Sequence, residues 1–474
     1  MNRRILGLAL PNIITNITVP LLGMVDMAIV GHLSANHIGA IAIGTSIFNL
    51  IYWNFGFLRM GTSGFTAQAY GANRMDEAVK VFVRAFAVAL AIAALLLILQ
   101  WPLALLSERV FHGSPEVISL ALSYFYIRIW AAPATLGLYA VKGWFIGMQN
   151  SRLPMWIAIF LNIVNIVCSL IFVLVLKWDI QGVALGTVIA QYSGLAVGLF
   201  FMKKRYGHLF KEHLLVKPSD KVDSDSQQIT AQSGHGPIFN SKDMLRFFKV
   251  NGDIFLRTVC LAAVFTFITA ASGRISDEVL AIDALLLQFF TLFSYIMDGF
   301  AYAGESLVGR YIGAHDTKSL RLSVRLILMW GVILTVVFTG LYATFGEQFL
   351  RIFSDQETII EGAKEYMFWT LIVPVCGFAA FLFDGIFVGA TASRAMRNTM
   401  FIATASFFAI YYGLKVIYID PSSTQAITHS SIQALTHTWN NILWTAFMVY
   451  LTMRGVLQAI LLKRSIYNQV PLAK

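Results

Sequence analysis

The chain carries few charged residues and few cysteines. Of its 474 residues, 13% are Asp, Glu, Lys or Arg, whereas 57% are hydrophobic. Soluble globular domains contain about 25% charged residues, so the composition excludes a soluble protein and indicates an integral membrane protein. Cys168, Cys260 and Cys376 all lie in apolar segments, which predicts small buried side chains and excludes a disulfide framework or a cysteine metal site.

Motifs for nucleotide binding and for hydrolysis are also missing. No segment matches the GxxxxGK[ST] phosphate loop, the HExxH zinc motif or the GxSxG nucleophile motif. We therefore expect no enzyme, no catalytic residue, no cofactor and no metal site. A membrane-embedded enzyme or a receptor is the alternative from another class. The lack of paired catalytic acids argues against the first, and the lack of a sizeable soluble domain argues against the second.

The sequence is dominated by long hydrophobic runs. They recur about a dozen times, and each is near or above the roughly 20 residues that a helix needs to cross a bilayer. Barrel strands would be about half as long. We predict an all-α polytopic membrane protein with about twelve transmembrane helices. The predicted spans are 5–30, 37–69, 79–106, 116–146, 153–176, 181–202, 250–272, 279–306, 324–345, 366–390, 399–418 and 438–462.

Positive charges are unevenly distributed over the loops between these spans. The net charge is +10, and most loop Lys and Arg residues fall on one side of the membrane when the spans alternate. The positive-inside rule then places both termini and the long middle loop in the cytoplasm. We expect a multi-pass protein of the bacterial inner membrane, surrounded by the lipid bilayer, that does not bind nucleic acid.

The two halves of the chain resemble each other at an offset of about 242 residues. The matching fragments are "GHLSANHIGAIA" and "GRISDEVLAIDA", "YGA" and "IGA", and "GWFIGMQNSR" and "GIFVGATASR". A polar stretch at 204–245 lies between the halves and is predicted to be a flexible cytoplasmic linker. We predict an N-terminal six-helix lobe, 1–203, and a C-terminal six-helix lobe, 246–474. They are related by a parallel repeat, which is one architecture of secondary transporters.

The second half contains one insertion. The segment around 416–437 has about 20 residues more than the matching segment of the first half. We predict a periplasmic loop, with room for a short helix, in which His429 and His437 are exposed and bind no metal. A metal or pH-sensitive site formed by these two histidines is the alternative.

The first predicted span has a polar face. Its members, spaced by three or four residues, are Asn12, Asn16, Val19, Gly23 and Asp26. Residues at this spacing lie on one side of a helix. Pro11 and Pro20 interrupt the hydrogen-bond ladder and are predicted to bend the helix. This combination is typical of a helix that lines a cavity.

Two further spans carry similar polar stripes. Asn162, Asn165 and Ser169 are spaced along the fifth span, and Thr187 and Gln191 lie one turn apart on the sixth. Amide groups that face lipid would have no partners, so we predict that the stripes converge on a cavity. For any single Asn, packing between helices is the alternative interpretation.

Asp26 is the acid in the first polar stripe. A carboxylate at membrane depth costs roughly 2.5 to 3.5 kcal/mol, so such residues are functional candidates. Low dielectric disfavours the charged form of a carboxylate, whereas water or a cation favours it. Asp26 can therefore bind a proton when its cavity is dry and release it when the cavity is wet or occupied, which is one of two open interpretations. Coordination of Na⁺, with Asn and Thr oxygens completing the shell, is the alternative.

Other charges at membrane depth are predicted to form gates or structural ion pairs. Asp298 and Glu305 lie seven residues apart on one helix, and Arg257 lies at a similar depth on the preceding one. We predict an ion pair among these three. Lys142 and Asp384 occupy equivalent positions of the two halves. For this pair, a salt bridge between the halves and separate snorkelling at the interface are both open.

With these residues in place, the sequence resembles the multidrug and toxic compound extrusion (MATE) family, and within it the DinF-type branch. The motifs that carry the resemblance span nearly the whole chain. They are "ALPNIITNITVPLLGMVDMAIVGHL", "GFTAQAYGA", "GWFIGMQNSR", "IQGVALGTVIAQYSG" and "FLFDGIFVGATASRAMRN".

The resemblance implies twelve helices in two lobes and export of diverse, often cationic and aromatic compounds in exchange for H⁺ or Na⁺. It assigns Asp26 to the acid of the first helix and Pro11 to the residue that forms its bend. Asn165 and Thr187 match cation-site positions of some members. Where those members have a second acid, this chain has Ser169.

Together, the residues and the resemblance predict a secondary active efflux transporter. We expect exchange of small organic cations or amphiphiles for H⁺, with Na⁺ less favoured, and Asp26 as the only carboxylate of the coupling site. We expect a monomer. The alternative function is a flippase for a lipid-linked or other amphiphilic substrate, which a wide basic cavity would favour.

Overall fold

The computed structural model describes residues 1–31, 35–111, 114–214, 238–418 and 429–470. Over these ranges the chain is helical and contains no strand. Helices of the N-terminal half are α1 Asn2–Gly31, α2 Ala35–Asn54, α3 Phe57–Gly71, α4 Met75–Ile98, α5 Gln100–Val110, α6 Pro115–Arg128, α7 Ala132–Gly147, α8 Arg152–Leu170 and α9 Asp179–Leu214. Those of the C-terminal half are α10 Ser241–Ile275, α11 Asp277–Gly313, α12 Thr317–Phe353, α13 Glu357–Glu365, α14 Met367–Gly389, α15 Ser393–Tyr418 and α16 His429–Ser465.

The number of long apolar helices confirms the predicted class. Eleven helical segments, from Asn36–Gly71 to Leu435–Gln469, are long and apolar enough to cross a membrane. The 30-residue α1 precedes them. The protein is therefore an all-α polytopic membrane protein with about twelve spans.

Three of the predicted spans consist of two successive helices. The breaks lie between α2 and α3, between α4 and α5, and between α6 and α7. At the last break a short 3₁₀ turn, Ile129–Ala131, precedes α7, which has Pro133 in its first turn. Proline is suited to a helix start because its missing N–H needs no partner there.

Buried side chains divide into cores that follow the two halves. One large core is built mainly from α10–α16, and smaller cores fill the space among α1–α9. The first turns of α1 are an exception, because Ile5, Leu8 and Ala9 belong to the core of the second half. Helix α1 packs against α8 of its own lobe and against α11 of the other. It therefore lies between the lobes.

The repeated glycines explain how the lobes acquire the same internal packing. A Cβ on Gly143 of α7 would lie 2.4 Å from the backbone oxygen of Arg59 on α3. A Cβ on Gly385 of α14 would lie 2.0 Å from the backbone oxygen of Ala301 on α11. The two glycines, and also Arg59 and Ala301, are equivalent in the repeat. Each lobe thus uses one glycine to bring the same two helices into backbone contact.

A second pair of repeated glycines joins the lobes to each other. A Cβ on Gly71, in "YGA", would lie 1.8 Å from the Arg310 oxygen, and one on Gly313, in "IGA", would lie 2.0 Å from the Gln68 oxygen. Helices α3 and α11 therefore touch backbone to backbone at their C-terminal ends. This contact lies at the end of the bundle that the charge distribution assigns to the cytoplasm.

The ends of the predicted linker are helical. Helix α9 continues to Leu214 and α10 begins at Ser241, so 204–214 and 241–245 extend the spans. Residues 215–237 lie outside the described ranges. The predicted lobe boundaries, 1–203 and 246–474, stay a prediction.

The predicted insertion at 416–437 is helical where it is described. Helix α16 begins at His429, whose side chain lies outside the described part, and residues 419–428 lie outside it as well. The ring of His437 stacks on that of Tyr366, with centroids 5.1 Å apart. Its Nδ1 is 2.9 Å from Asn441 Nδ2. His437 is therefore part of helix packing.

Candidate functional site: a buried polar cluster in the first lobe

Asp26 is buried in the last third of α1. Its side chain is 6% exposed, and its Oδ1 has no hydrogen-bond partner among the described residues. The two groups that act on its carboxylate most directly are Arg128, at the end of α6, and Ser169, on α8. A buried polar atom without a partner is uncommon and costs free energy, so this oxygen is a candidate for binding a proton or a cation.

Polar residues of α8 and α9 lie next to Ser169, which is the α8 residue that interacts with this carboxylate. Asn165 Nδ2 donates to Thr187 Oγ1 over 3.0 Å, and Thr187 Oγ1 donates to the Val183 oxygen over 3.0 Å. Asn165 Oδ1 is buried and has no hydrogen-bond partner within the described ranges, and the buried Ser169 Oγ is left to interact with the Asp26 carboxylate. The geometry therefore places Asp26, Ser169, Asn165 and Thr187 in one cluster, which we call the α1–α8–α9 cluster.

The close approach of α8 and α9 makes this cluster compact. A Cβ on Gly186 of α9 would lie 2.8 Å from Ser169 Oγ. The absence of a side chain at Gly186 therefore determines how near α9 comes to the serine hydroxyl.

Three of the other predicted cavity residues hold helices together. Asn12 Nδ2 donates to Ser151 Oγ over 3.0 Å and to the oxygen of Leu8. Asn16 Nδ2 donates to the Tyr295 oxygen on α11, and Asn162 Nδ2 donates to the Thr18 oxygen on α1, over 3.0 and 2.9 Å. The contacts of these three residues therefore match the alternative interpretation, in which each Asn holds two helices together.

Gln191 and the two prolines complete the predicted set. Gln191 is half-buried and makes no side-chain hydrogen bond within the described part of the chain. Helix α1 is continuous through both Pro11 and Pro20. The backbone oxygen of Pro11 accepts a hydrogen bond from Thr15 Oγ1 at 2.9 Å, whereas the side chain of Pro20 lies outside the described part.

The ion pair predicted for Arg257 has a different partner. Arg257 binds Asp384 on α14, and not Asp298 or Glu305. Arg454 donates to Asp384 Oδ2 over 2.8 Å and Gln458 donates to its Oδ1 over 3.0 Å. Asp384 is thus neutralised inside the second lobe by one arginine from α10 and one from α16.

The salt bridge between Lys142 and Asp384, which was one of two open interpretations, is therefore absent from the described structure. A different salt bridge links the lobes. Arg59 of α3 lies 3.3 Å from Glu305 Oε2 on α11, and its guanidinium stacks 4.1 Å above the ring of Tyr302. Lys142 lies within electrostatic range of Arg59.

Asp298 makes no ion pair within 4 Å among the described residues. It lies within electrostatic range of Arg59, Arg257 and Arg454. The three acids Asp298, Glu305 and Asp384 therefore share one charged region that extends from α3 into the second lobe.

Three arginines at these sites were not predicted from the sequence. Arg59, Arg128 and Arg454 each lie inside a predicted span. Each of them is a charged residue at membrane depth, which marks it as a candidate functional residue. Arg257 was selected for the same reason, so the same test identifies these three arginines.

A two-lobed helical bundle with an internal repeat and buried charges between and within its lobes is the architecture of a secondary transporter. Comparison with known families agrees. The MatE family model matches this chain twice, over residues 11–171 and 254–415. The chain belongs to the MATE family and is a membrane transporter, so the expectation that it is not an enzyme is confirmed.

Relatives match over almost the full length. The chain is 33% identical to DNA damage-inducible protein F of Escherichia coli (strain K12) over 460 residues, which cover 96% of this chain and 91% of the relative. It is 19% identical to the probable multidrug resistance protein NorM of Buchnera aphidicola subsp. Baizongia pistaciae (strain Bp), with 86% and 87% of the two chains covered. A crystal structure of MATE in the straight conformation has a TM-score of 0.80 at 15% identity, covering 98% of this chain and 96% of the other. That last likeness concerns the fold alone.

Proposed function

We propose that the protein is a secondary active efflux transporter that exports organic cations or amphiphiles in exchange for H⁺. Membership of the MATE family supports transport, and the name of the NorM relative, a probable multidrug resistance protein, supports drugs as its substrates. The proposal includes the bacterial inner membrane, cytoplasmic termini and a monomer.

Asp26 is proposed as the coupling carboxylate, and its buried, unpartnered Oδ1 is the observation that carries the proposal. Among the other acids of the described helices, Glu305 also has a free oxygen, Oε1, but its Oε2 is paired with Arg59. Two further buried acids have both oxygens held by donors or arginines. Asp283 accepts hydrogen bonds from Ser272, Asn440 and Trp444, and Asp384 is held by two arginines. Asp26 Oδ1 keeps an acceptor position free for a proton.

The proposed cycle follows from dielectric effects. When the cavity around Asp26 is dry, the neutral carboxyl is favoured, and when water or a cationic substrate enters, the ionised form is favoured. Proton release towards the cytoplasm then allows substrate to bind. Protonation from outside favours substrate release.

A proton suits this cluster better than Na⁺. Asp26 is its only carboxylate, since Ser169 contributes a hydroxyl in place of a second acid. A hard cation needs several oxygens at once and benefits from negative ligands, whereas a proton needs a single acceptor. Asn165 Oδ1 and Ser169 Oγ are the additional oxygens available for the Na⁺ alternative.

Dye efflux in everted vesicles tests both points. Vesicles that contain the wild type, Asp26→Asn or Asn16→Ala are given either a pH gradient or a Na⁺ gradient. We expect the pH gradient to drive uptake by the wild type and Asn16→Ala, and no driven uptake by Asp26→Asn. Uptake that depends on Na⁺ alone, or full activity of Asp26→Asn, contradicts the proposal.

Arg59 and Lys142 favour a second substrate class, an anionic amphiphile. Both cations lie near the contact between the lobes, and Glu305 is the only acid within 4 Å of Arg59 in the described structure. Lys142 makes no ion pair in that part of the chain. Glu305 offsets the charge of Arg59, whereas Lys142 keeps a positive charge that would attract a phosphate or a carboxylate.

The same vesicles separate the two classes. Transport is compared for an aromatic cation and for a fluorescent anionic lipid, in the wild type and in Lys142→Gln. Our first proposal predicts cation transport that Lys142→Gln leaves intact or raises. Transport of the anionic lipid alone, lost in Lys142→Gln, would establish the flippase instead.

A further inference from the structure

A basic cavity lies in the second lobe, away from the α1–α8–α9 cluster. It has a volume of about 550 Å³ and lies where the start of α10, the loop before α15 and the end of α16 meet. This volume is within the range of roughly 300 to 1,000 Å³ that ligand pockets have. The cavity opens at the end of the bundle where α3 and α11 touch.

Four cationic side chains line this cavity, namely Arg246, Lys249, Arg394 and Arg464. None of them forms an ion pair within the described ranges, and all four are exposed. Arg246 also stacks on the ring of Phe65, 5.3 Å from its centroid, which leaves its N–H groups available to a ligand. Four converging charges without a counter-ion attract an anion.

The single acid that lines the cavity is already neutralised. Asp253 is buried, and it accepts hydrogen bonds from Arg397 Nη1 at 2.6 Å and from Ser393 Oγ at 2.8 Å. Asp253 therefore does not balance the four cations. It fixes the beginning of α15, whose first N–H groups add partial positive charge at the cavity.

The repeat supplies an internal comparison. An equivalent cavity of about 770 Å³ in the first lobe is lined by Arg152, the counterpart of Arg394, and also by Arg205 and His208. Gly7 there takes the place of Lys249, and Trp156 takes the place of Asn398. The second lobe has thus added charge at a position where the first has none.

The cavity adjoins an apolar surface that a membrane would cover. Phe248 on α10, Phe401 on α15 and Ile460 on α16 are 52%, 43% and 69% exposed. Each lies on a helix that also carries one or more of the four cations. A charged cavity beside exposed apolar helix faces matches a molecule with an anionic head and hydrocarbon tails. Basic pockets between membrane helices on the cytoplasmic side are known to bind such head groups.

We propose that this cavity binds the head group of an anionic phospholipid of the cytoplasmic leaflet. The phosphate contacts Arg246, Lys249, Arg394 and Arg464, and the acyl chains lie along the exposed faces of α10, α15 and α16. The site is separate from the transport pathway proposed above, so its occupancy does not depend on which substrate is moved.

Native mass spectrometry of the full-length, delipidated protein tests the site. The protein is titrated with phosphatidylglycerol and, separately, with phosphatidylcholine. The test variant combines Arg246→Gln, Lys249→Gln, Arg394→Gln and Arg464→Gln. The matched control, with the same loss of charge at the same end of the bundle, combines Lys203→Gln, Lys204→Gln, Lys318→Gln and Arg325→Gln.

We expect the wild type and the control to bind phosphatidylglycerol more tightly than phosphatidylcholine. Each Lys or Arg near an anionic head group contributes a factor of about five, so the test variant should lose at least about tenfold in affinity for phosphatidylglycerol. An equal loss in the control, or no preference between the lipids, overturns the proposal. Displacement of the lipid by equimolar glycerol phosphate would assign the cavity to a soluble phosphate and overturn it as well. A single size-exclusion peak and an unchanged Tm establish that each variant is folded.

Discussion

At the scale of single residues, two buried acids have opposite environments. Asp283 on α11 is 1% exposed and accepts hydrogen bonds from Ser272, Asn440 and Trp444, over 2.5, 3.0 and 2.7 Å. Asp26 is nearly as buried, but its Oδ1 has no partner in the described structure. The first arrangement stabilises the fold. The second leaves an acceptor free for function.

This contrast predicts different effects on stability. Asp283→Asn places an amide among donors and should destabilise the protein by about 2 to 4 kcal/mol, because hydrogen bonds to a buried charge are lost. Asp26→Asn should change stability by less than about 1 kcal/mol. Thermal unfolding of both variants in detergent measures the difference. A Tm that falls equally in both would indicate that Asp26 has a structural role.

Polar stripes were predictable from the sequence, whereas ion partners were not. A 3.6-residue period places Asn165 and Ser169 on one face of α8, and the structure brings Ser169 to Asp26. The partner of Arg257 depends on which helices touch. Asp384 reaches it from a helix more than one hundred residues later, and no spacing on a single helix reveals that contact.

At the scale of helices, glycine determines how closely neighbours pack. Gly385 is in contact with the backbone of Ala301, whereas a Cβ added to Gly340 on α12 would meet nothing within 4 Å. Both lie inside helices and differ only in their surroundings. They therefore form a matched pair.

We expect Gly385→Ala to destabilise the second lobe by about 1 to 3 kcal/mol, since α11 and α14 must separate to admit the methyl group. Gly340→Ala should stabilise by about 0.5 to 1 kcal/mol, because alanine is the better helix former. The Tm values of the two variants, each compared with that of the wild type, measure these changes in stability. A stabilising Gly385→Ala would contradict the backbone contact described here.

Helix number and approximate limits followed from hydrophobic runs, but helix breaks and ends did not. The runs at 37–69, 79–106 and 116–146 stay predominantly apolar on both sides of each helix break, so the mean hydropathy does not mark where one helix ends and the next begins. Helix α9 extends beyond the apolar run to Leu214 because water-exposed turns also sustain a helix. The glycines of the repeat could be found in the sequence, because they lie in the matching fragments of the two halves. That they bring helix backbones into contact could be seen only in the structure.

At the scale of the whole molecule, the lobes are joined at one end. Gln149 Nε2 donates to the Ser306 oxygen over 2.8 Å, and Gln68 Nε2 donates to the Gly389 oxygen and to Thr391 Oγ1 over 3.1 and 3.2 Å. These contacts close the end that is predicted to face the cytoplasm. Alternating access by movement of one lobe against the other requires that they break.

A reversible cross-link at this end should therefore stop transport. We expect Gln68→Cys combined with Thr391→Cys, in a background without the three native cysteines, to lose efflux when treated with a reducible bifunctional thiosulfonate. Reduction should restore it, and each single-cysteine variant should be unaffected. Full transport by the cross-linked protein would exclude movement between the lobes at this contact.

Proton release on substrate binding is the most direct test of the central claim, that Asp26 exchanges a proton for substrate. Tetraphenylphosphonium is added to purified protein in a weakly buffered solution, and the pH is recorded together with binding. We predict that the wild type releases protons as it binds the cation and that Asp26→Asn releases none. Proton release by Asp26→Asn equal to that of the wild type would contradict the account.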